Sequence, residues 1–165
     1  METPIIPYKN ALCKLDELCC KYKIEYAVTG TMALDILGLP SRFYPQDIDI
    51  KVFHLTEAQA ERLQELQFLA GLSPKDYPNS KCYSFIIDST KVNAIVDPAN
   101  YDELAATTVT IDMLDLNAVK HRSISVQRVK YAIADKMSLG RKKDSHYMWD
   151  LINILTSKEN IKDRL

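Results

Sequence analysis

The chain has no run approaching the ~20 consecutive apolar residues that a bilayer-spanning helix needs, and its start at Met1, Glu2, Thr3 and Pro4 lacks the basic and apolar stretches of a signal peptide. A membrane-embedded or secreted protein is therefore not expected, and a reducing cytoplasm is. Excess charge of either sign is also missing: 21 basic and 22 acidic side chains leave a formal net charge of -1. No overall field draws the chain to nucleic acid or to an anionic membrane, although a local basic groove on a neutral protein would still allow RNA binding. Repeats and low-complexity segments are absent, and so is a Gly-x-x-x-x-Gly-Lys-Ser/Thr loop, which argues against a P-loop ATPase. His54, His121 and His146 are scattered without zinc-ligand spacing. Cys13, Cys19, Cys20 and Cys82 show no metal-ligand pattern either, and with three of them in one expected helix they read as small core residues.

What remains is an ordinary globular composition, 47% hydrophobic and 26% charged, over 165 residues. That length suits a single domain, residues 1–165, in which residues 126–165 form a C-terminal helical segment, with no room for a second large substrate domain. Three- and four-residue spacing of Ala11, Leu12, Leu15, Leu18, Cys19 and Tyr22 predicts a helix from about Tyr8 to Tyr22. Ile24 to Thr29 reads as a buried strand ending at Gly30, followed by a short helix from about Met32 to Leu37 that Gly38 closes. Ile48, Ile50 and Val52 alternate with Asp47, Asp49 and Lys51, the period of a strand with one apolar and one polar face. Thr56 and Gln59 form a capping box for a helix reaching about Leu69. Cys82–Ile87 and Lys91–Val96 form a hairpin around Asp88, Ser89 and Thr90. Thr107–Met113 and Ser123–Val126 read as further strands, before helices over about Val126–Leu139 and Ser145–Thr156. Trp149, with Met148 and Leu151, would dock the last helix.

Two carboxylates two residues apart on one strand lie roughly 6.7 Å apart along the backbone and project from the same face. Asp47 and Asp49 can therefore converge on a hard cation, and magnesium is held in this way, by one or two carboxylates plus substrate phosphates. Gly30 and Thr31, at a strand-to-helix turn, can face an anion with their amides and the threonine hydroxyl. Arg42 could reach a phosphate from the loop before Asp47. Taken together, these features point to nucleotide chemistry.

Gly30, Ala33, Leu34, Gly38, Arg42 and the run Asp47-Ile48-Asp49-Ile50 resemble the core of the AbiEii-type nucleotidyltransferases, part of the DNA polymerase β-like nucleotidyltransferase superfamily, which includes phage-defence toxins. The segment Ala134-Asp135-Lys136-Met137, then Arg141, Lys143-Asp144 and Asp150-Leu151, looks like the family's C-terminal pattern. The resemblance implies an α/β (α+β) fold, a nucleotidyltransferase-like mixed β-sheet flanked by helices, and an active site using an NTP with Mg2+ (or Mn2+). It also implies that Lys136 lies near the triphosphate and Lys143 near the rim of the site.

Active members carry a third carboxylate on a later strand, and the matching catalytic position here is Asn93. A neutral amide cannot act as a general base, and it is a weaker magnesium ligand than a carboxylate. Asp97 should share the face of Asn93 but lies roughly 13 Å along an extended strand, and Asp88 across the hairpin has no motif support. Three functions follow. The first is transfer of an NMP unit from an NTP to a hydroxyl on a small molecule, a protein or an RNA end. The second is a catalytically degenerate relative that binds nucleotide or acts as a regulatory module. The third is an antitoxin-like partner protein. With so little chain left for acceptor recognition, a partner protein or a homodimer would supply it.

Overall fold

The computed structural model describes residues 6–38, 45–74, 80–96 and 104–138, together with residues 142, 145 and 149. Helix α1 (Lys9–Lys21) and strand β1 (Glu25–Thr29) lead into helix α2 (Gly30–Ile36) and strand β2 (Ile48–Phe53). Helix α3 (Glu57–Ala70) precedes a hairpin of β3 (Cys82–Ile87) and β4 (Thr90–Val96). Helix α4 (Leu104–Thr107), a second hairpin of β5 (Thr108–Asp115) and β6 (Lys120–Gln127), and helix α5 (Val129–Ser138) follow. The six strands make one mixed sheet in the order β3-β4-β2-β1-β6-β5.

Two parallel pairings build the centre of that sheet: β2 beside β4, with Asp49 opposite Asn93, and β1 beside β6, with Val28 opposite Val126. Between them β1 and β2 run antiparallel, with Thr29 opposite Asp49. One face is apolar: Val28, Ile48, Ile50, Val52, Phe85, Val92, Ala94, Ile124 and Val126 are buried. Helix α1 adds Ala11, Leu12, Leu15 and Cys19 to the same core, the stripe that its spacing predicts.

Helix α3 starts as its sequence dictates. The Thr56 hydroxyl accepts from the Gln59 amide at 3.2 Å, and the Thr56 amide donates to the Gln59 side chain at 2.8 Å, satisfying two amides that the helix leaves unpaired. Gln59 also donates to the carbonyls of Tyr22 and Lys23, tying this start to the end of α1. Gly71, at φ 66°, ends the helix in the left-handed region. Further along, Gln67 accepts from the Ser84 amide on edge strand β3, so α3 occupies part of an edge that could otherwise pair with another chain.

The first hairpin turns through Asp88 and Ser89, both at positive φ, a twist that matches the strands it joins. Strands β5 and β6 extend beyond the expected limits, because Lys120, His121 and Arg122 hide the alternation while still pairing with Asp115, Leu114 and Met113. Val126 and Gln127 complete β6, so α5 begins at Val129 rather than at Val126. Helix α4 was not anticipated. The last expected helix lies outside the described residues apart from Ser145 and Trp149, and Trp149 is exposed rather than docked. Cys13, Cys19 and Cys82 are buried as expected, and burial pushes the Cys19 thiol well above its usual pKa. Cys20, on the outer side of α1, is exposed. No described helix is long and apolar enough to cross a membrane.

A charged cluster is sealed beneath α1. Arg122 of β6 donates to Asp115 at 2.7 Å and to Asp16 at 3.2 Å, and all three side chains are buried. The Tyr26 hydroxyl donates to the other Asp16 oxygen at 2.6 Å. The second oxygen of Asp115 accepts the amides of Asn117 and Ala118 and so shapes the β5–β6 turn.

Candidate active site

The opposite face of the sheet carries a rank of polar residues one register deep. Ser84 on β3 faces Asn93 on β4, Asn93 faces Asp49 on β2, and Asp49 faces Thr29 on β1. Thr29 donates through its hydroxyl to Gln127 on β6. The rank thus crosses five strands, and Thr29, Ser84, Asn93 and Gln127 are all buried. Directly opposed residues project to the same side of a sheet, so register alone gathers side chains that are far apart in sequence.

Asp47 precedes β2 by one residue, at a bend, and still converges with Asp49. The meeting point is the amide nitrogen of Asn93, which donates to Asp47 Oδ2 at 3.1 Å and to Asp49 Oδ1 at 2.8 Å. The Asn93 carbonyl oxygen accepts from the Ser84 hydroxyl at 2.8 Å. The three positions expected to form the catalytic set therefore meet at Asn93, which touches both acids.

Gly30 stands against this cluster. Its φ of +67° is open to glycine and strained for other residues, and a Cβ built there would lie 3.0 Å from Asp49 Oδ2. Gly30→Ala is therefore expected to destabilise the fold by roughly 1–3 kcal/mol and to push the Asp49 carboxylate out of line. Urea denaturation followed by tryptophan fluorescence or circular dichroism measures the first effect. An unchanged midpoint would show that the turn is not under this constraint.

Helix α5 closes the polar face from above. Lys136, itself buried, donates to the Thr31 hydroxyl of α2 at 2.7 Å. One residue earlier, Asp135 accepts from Gln127 at 3.0 Å and pairs with Lys51 at 2.6 Å. The structure thus brings Gly30, Thr31, Asp47, Asp49, Asn93 and Lys136 to one region. Arg42, Lys143 and Asp97 lie outside the described residues. Asp88 sits in the hairpin turn, where it pairs with Lys14 at 2.8 Å.

The sequence gives Ser84 and Gln127 no role, and it presents Lys51 only in the strand alternation and Asp135 only within the segment Ala134-Asp135-Lys136-Met137. Ser84 did leave a signal, a polar residue between Tyr83 and Phe85 in an otherwise apolar strand. The contacts of Gln127 and Asp135 follow from the β1–β6 pairing and from the docking of α5.

Among the described residues no group of three or more His, Cys, Asp or Glu side chains is placed to hold a metal. The fit to magnesium therefore rests on two carboxylates. They are hard oxygen donors, they already converge on one atom, and the missing Cβ of Gly30 lets the Asp49 carboxylate pack against the turn. Such a pair suits a cation whose remaining ligands come from water and substrate phosphates.

No family model matches the chain, and no curated protein matches its sequence. Among solved structures it is similar to a candidate nucleotidyltransferase from Thermotoga maritima, at 19% identity, over 90% of this chain and 96% of that one, with a TM-score of 0.58. An antigenic nucleotidyltransferase-like protein from Paracoccidioides brasiliensis is more distant, at 14% identity over 87% of this chain and 73% of that one, with a TM-score of 0.47. The first likeness shows the fold: a mixed sheet flanked by helices, of nucleotidyltransferase type.

Proposed function

We propose that the chain is a nucleotidyltransferase-fold protein that binds an NTP with Mg2+ (or Mn2+) at Asp47 and Asp49 and transfers the NMP unit to a hydroxyl acceptor on a small molecule, a protein or an RNA end. The observation that carries this reading is the convergence of both carboxylates on a single atom, Asn93 Nδ2, with Asp49 packed against the Gly30 backbone. When bound, the divalent ion would supply charge neutralisation for the triphosphate. Asp47 and Asp49 would hold it, Gly30 would let a phosphate approach the backbone, and Thr31 would offer its hydroxyl. Lys136, held at that hydroxyl in a buried position, would set a fixed positive charge toward the leaving pyrophosphate. Arg42 and Lys143 complete the proposed substrate-binding set. The AbiEii-type relationship, a reducing cytoplasm and a single domain over residues 1–165 belong to the same proposal.

A second reading is favoured by Asn93. Its nitrogen carries hydrogens toward the acids and no available lone pair, so it cannot take a proton from an acceptor hydroxyl. A catalytically degenerate protein that binds nucleotide and acts as a regulatory or antitoxin-like module, alone, as a homodimer or with a protein partner, would keep the acid pair and lack the base.

Incubation with each α-labelled NTP and Mg2+, followed by a search for labelled product, separates the two readings. Transfer by the wild type, lost in Asp47→Asn, supports the transferase. Binding without transfer, with transfer appearing in Asn93→Asp, supports the degenerate module. Transfer retained in Asp47→Asn would refute the role given to that carboxylate.

A further inference from the structure

Asn93 is fully buried, as is its neighbour Ser84. Each hydrogen of the Asn93 amide has a carboxylate to receive it, at 3.1 and 2.8 Å, and its oxygen accepts from Ser84 at 2.8 Å. Ionised carboxylates can only accept, so the nitrogen must face them while no cation is present. The amide thus occupies the point at which two negative groups would otherwise meet with nothing between them.

A divalent cation cannot share that point with N–H groups directed at it. We infer that Asn93 and Ser84 form a reversible amide switch, which stands in for the cation between Asp47 and Asp49 and turns over when a divalent cation binds there; this rests on the metal-binding reading of the acid pair. Rotation of the Asn93 amide by about 180° exchanges two nearly isosteric groups. It places Oδ1, a hard oxygen, beside the carboxylates. The nitrogen then points at Ser84, whose hydroxyl has lone pairs to accept it. Ser84 lets the amide keep a hydrogen bond at that end in both orientations, because a hydroxyl donates in one and accepts in the other. An alanine there would leave a buried amide group unpaired in either state. The switch also separates folding from metal supply, since the site is internally paired before any cation arrives.

Nuclear magnetic resonance of the full chain during Mg2+ titration tests this, with the Asn93 side-chain amide identified by its loss in Asn93→Asp and Mg2+ binding followed in parallel by calorimetry. In the cation-free protein the Asn93 amide protons should show no nuclear Overhauser contact with the Ser84 β protons. That contact should grow in with the calorimetric midpoint. Ser84→Ala removes one hydrogen bond from the amide in each orientation, so it should lower the melting temperature both with Mg2+ and with a chelator while changing the Mg2+ affinity by less than about threefold. Asn93→Asp should bind Mg2+ at least about tenfold more tightly and melt at a temperature that falls further than the wild type's when Mg2+ is chelated. If that variant folds only with Mg2+, the same conclusion is reached, and the growth of the Asn93–Ser84 contact in the wild type still tests the switch alone. Calorimetric binding without the new contact overturns the switch and leaves the metal reading intact. No Mg2+ binding by either the wild type or Asn93→Asp overturns the metal reading and the switch with it.

Discussion

Asp49→Asn is expected to lower the affinity for a magnesium-bound, non-hydrolysable NTP analogue at least ~100-fold, about 2.8 kcal/mol, while leaving the melting temperature close to that of the wild type. Asp49 is the midpoint of the polar rank, opposed by Thr29 on one side and Asn93 on the other, and its second oxygen packs against Gly30. Removing its charge takes away half of the negative field available to a cation. The shape is kept, and the amide oxygen can still accept from Asn93. Calorimetry with the analogue, and circular dichroism for the melt, check the two halves separately. Affinity within about threefold of the wild type would place the nucleotide elsewhere.

The largest effect on stability should come from Arg122→Met, which leaves Asp16 and Asp115 buried without their shared cation. Breaking a buried ion pair from one side costs about 3–5 kcal/mol, because the remaining charge keeps its desolvation penalty. Urea denaturation at pH 7 measures it, and a loss under 1 kcal/mol would contradict the assignment. The pH dependence has a definite sign. The hydrogen bond from Arg122 holds the Asp115 carboxyl below its usual pKa against the opposing effect of burial, helped by the amides of Ala118 and Asn117. A depressed folded-state pKa gives stability that is complete above the unfolded value, ~3.9, and is lost as pH falls through the lower folded value. The gap between wild type and Arg122→Met should therefore be widest near neutrality and narrow below about pH 4.

Local signals reached far along this chain because most elements carry their own instructions. The stripe of α1, the Thr56–Gln59 capping box, the β3–β4 hairpin and the Gly30 turn are each written in fewer than twenty consecutive residues, and each stands where the sequence puts it. The Asp47 and Asp49 pair is legible for the same reason. The rank from Ser84 to Gln127 is not, because it is a product of register between strands distant in sequence. Nothing in Val92, Asn93 and Ala94 says that the amide will bridge two acids forty-odd positions earlier; the parallel pairing of β2 with β4 decides it. The limits of β5 and β6 depart from the sequence pattern for a related reason: Arg122 looks like a solvent-facing residue until Asp16 and Asp115 bury it.

The central claim is that the acid pair and the Gly30 turn form a magnesium-dependent nucleotide site. Calorimetric titration of the wild-type chain with a non-hydrolysable analogue of each NTP, with Mg2+ and then with a chelator, tests it most directly. Binding of at least one analogue with Mg2+, abolished by the chelator and by Asp47→Ala, is the expected result. Absence of binding at millimolar analogue, or binding indifferent to both Mg2+ and Asp47, would contradict the claim and leave the fold as a scaffold with another purpose.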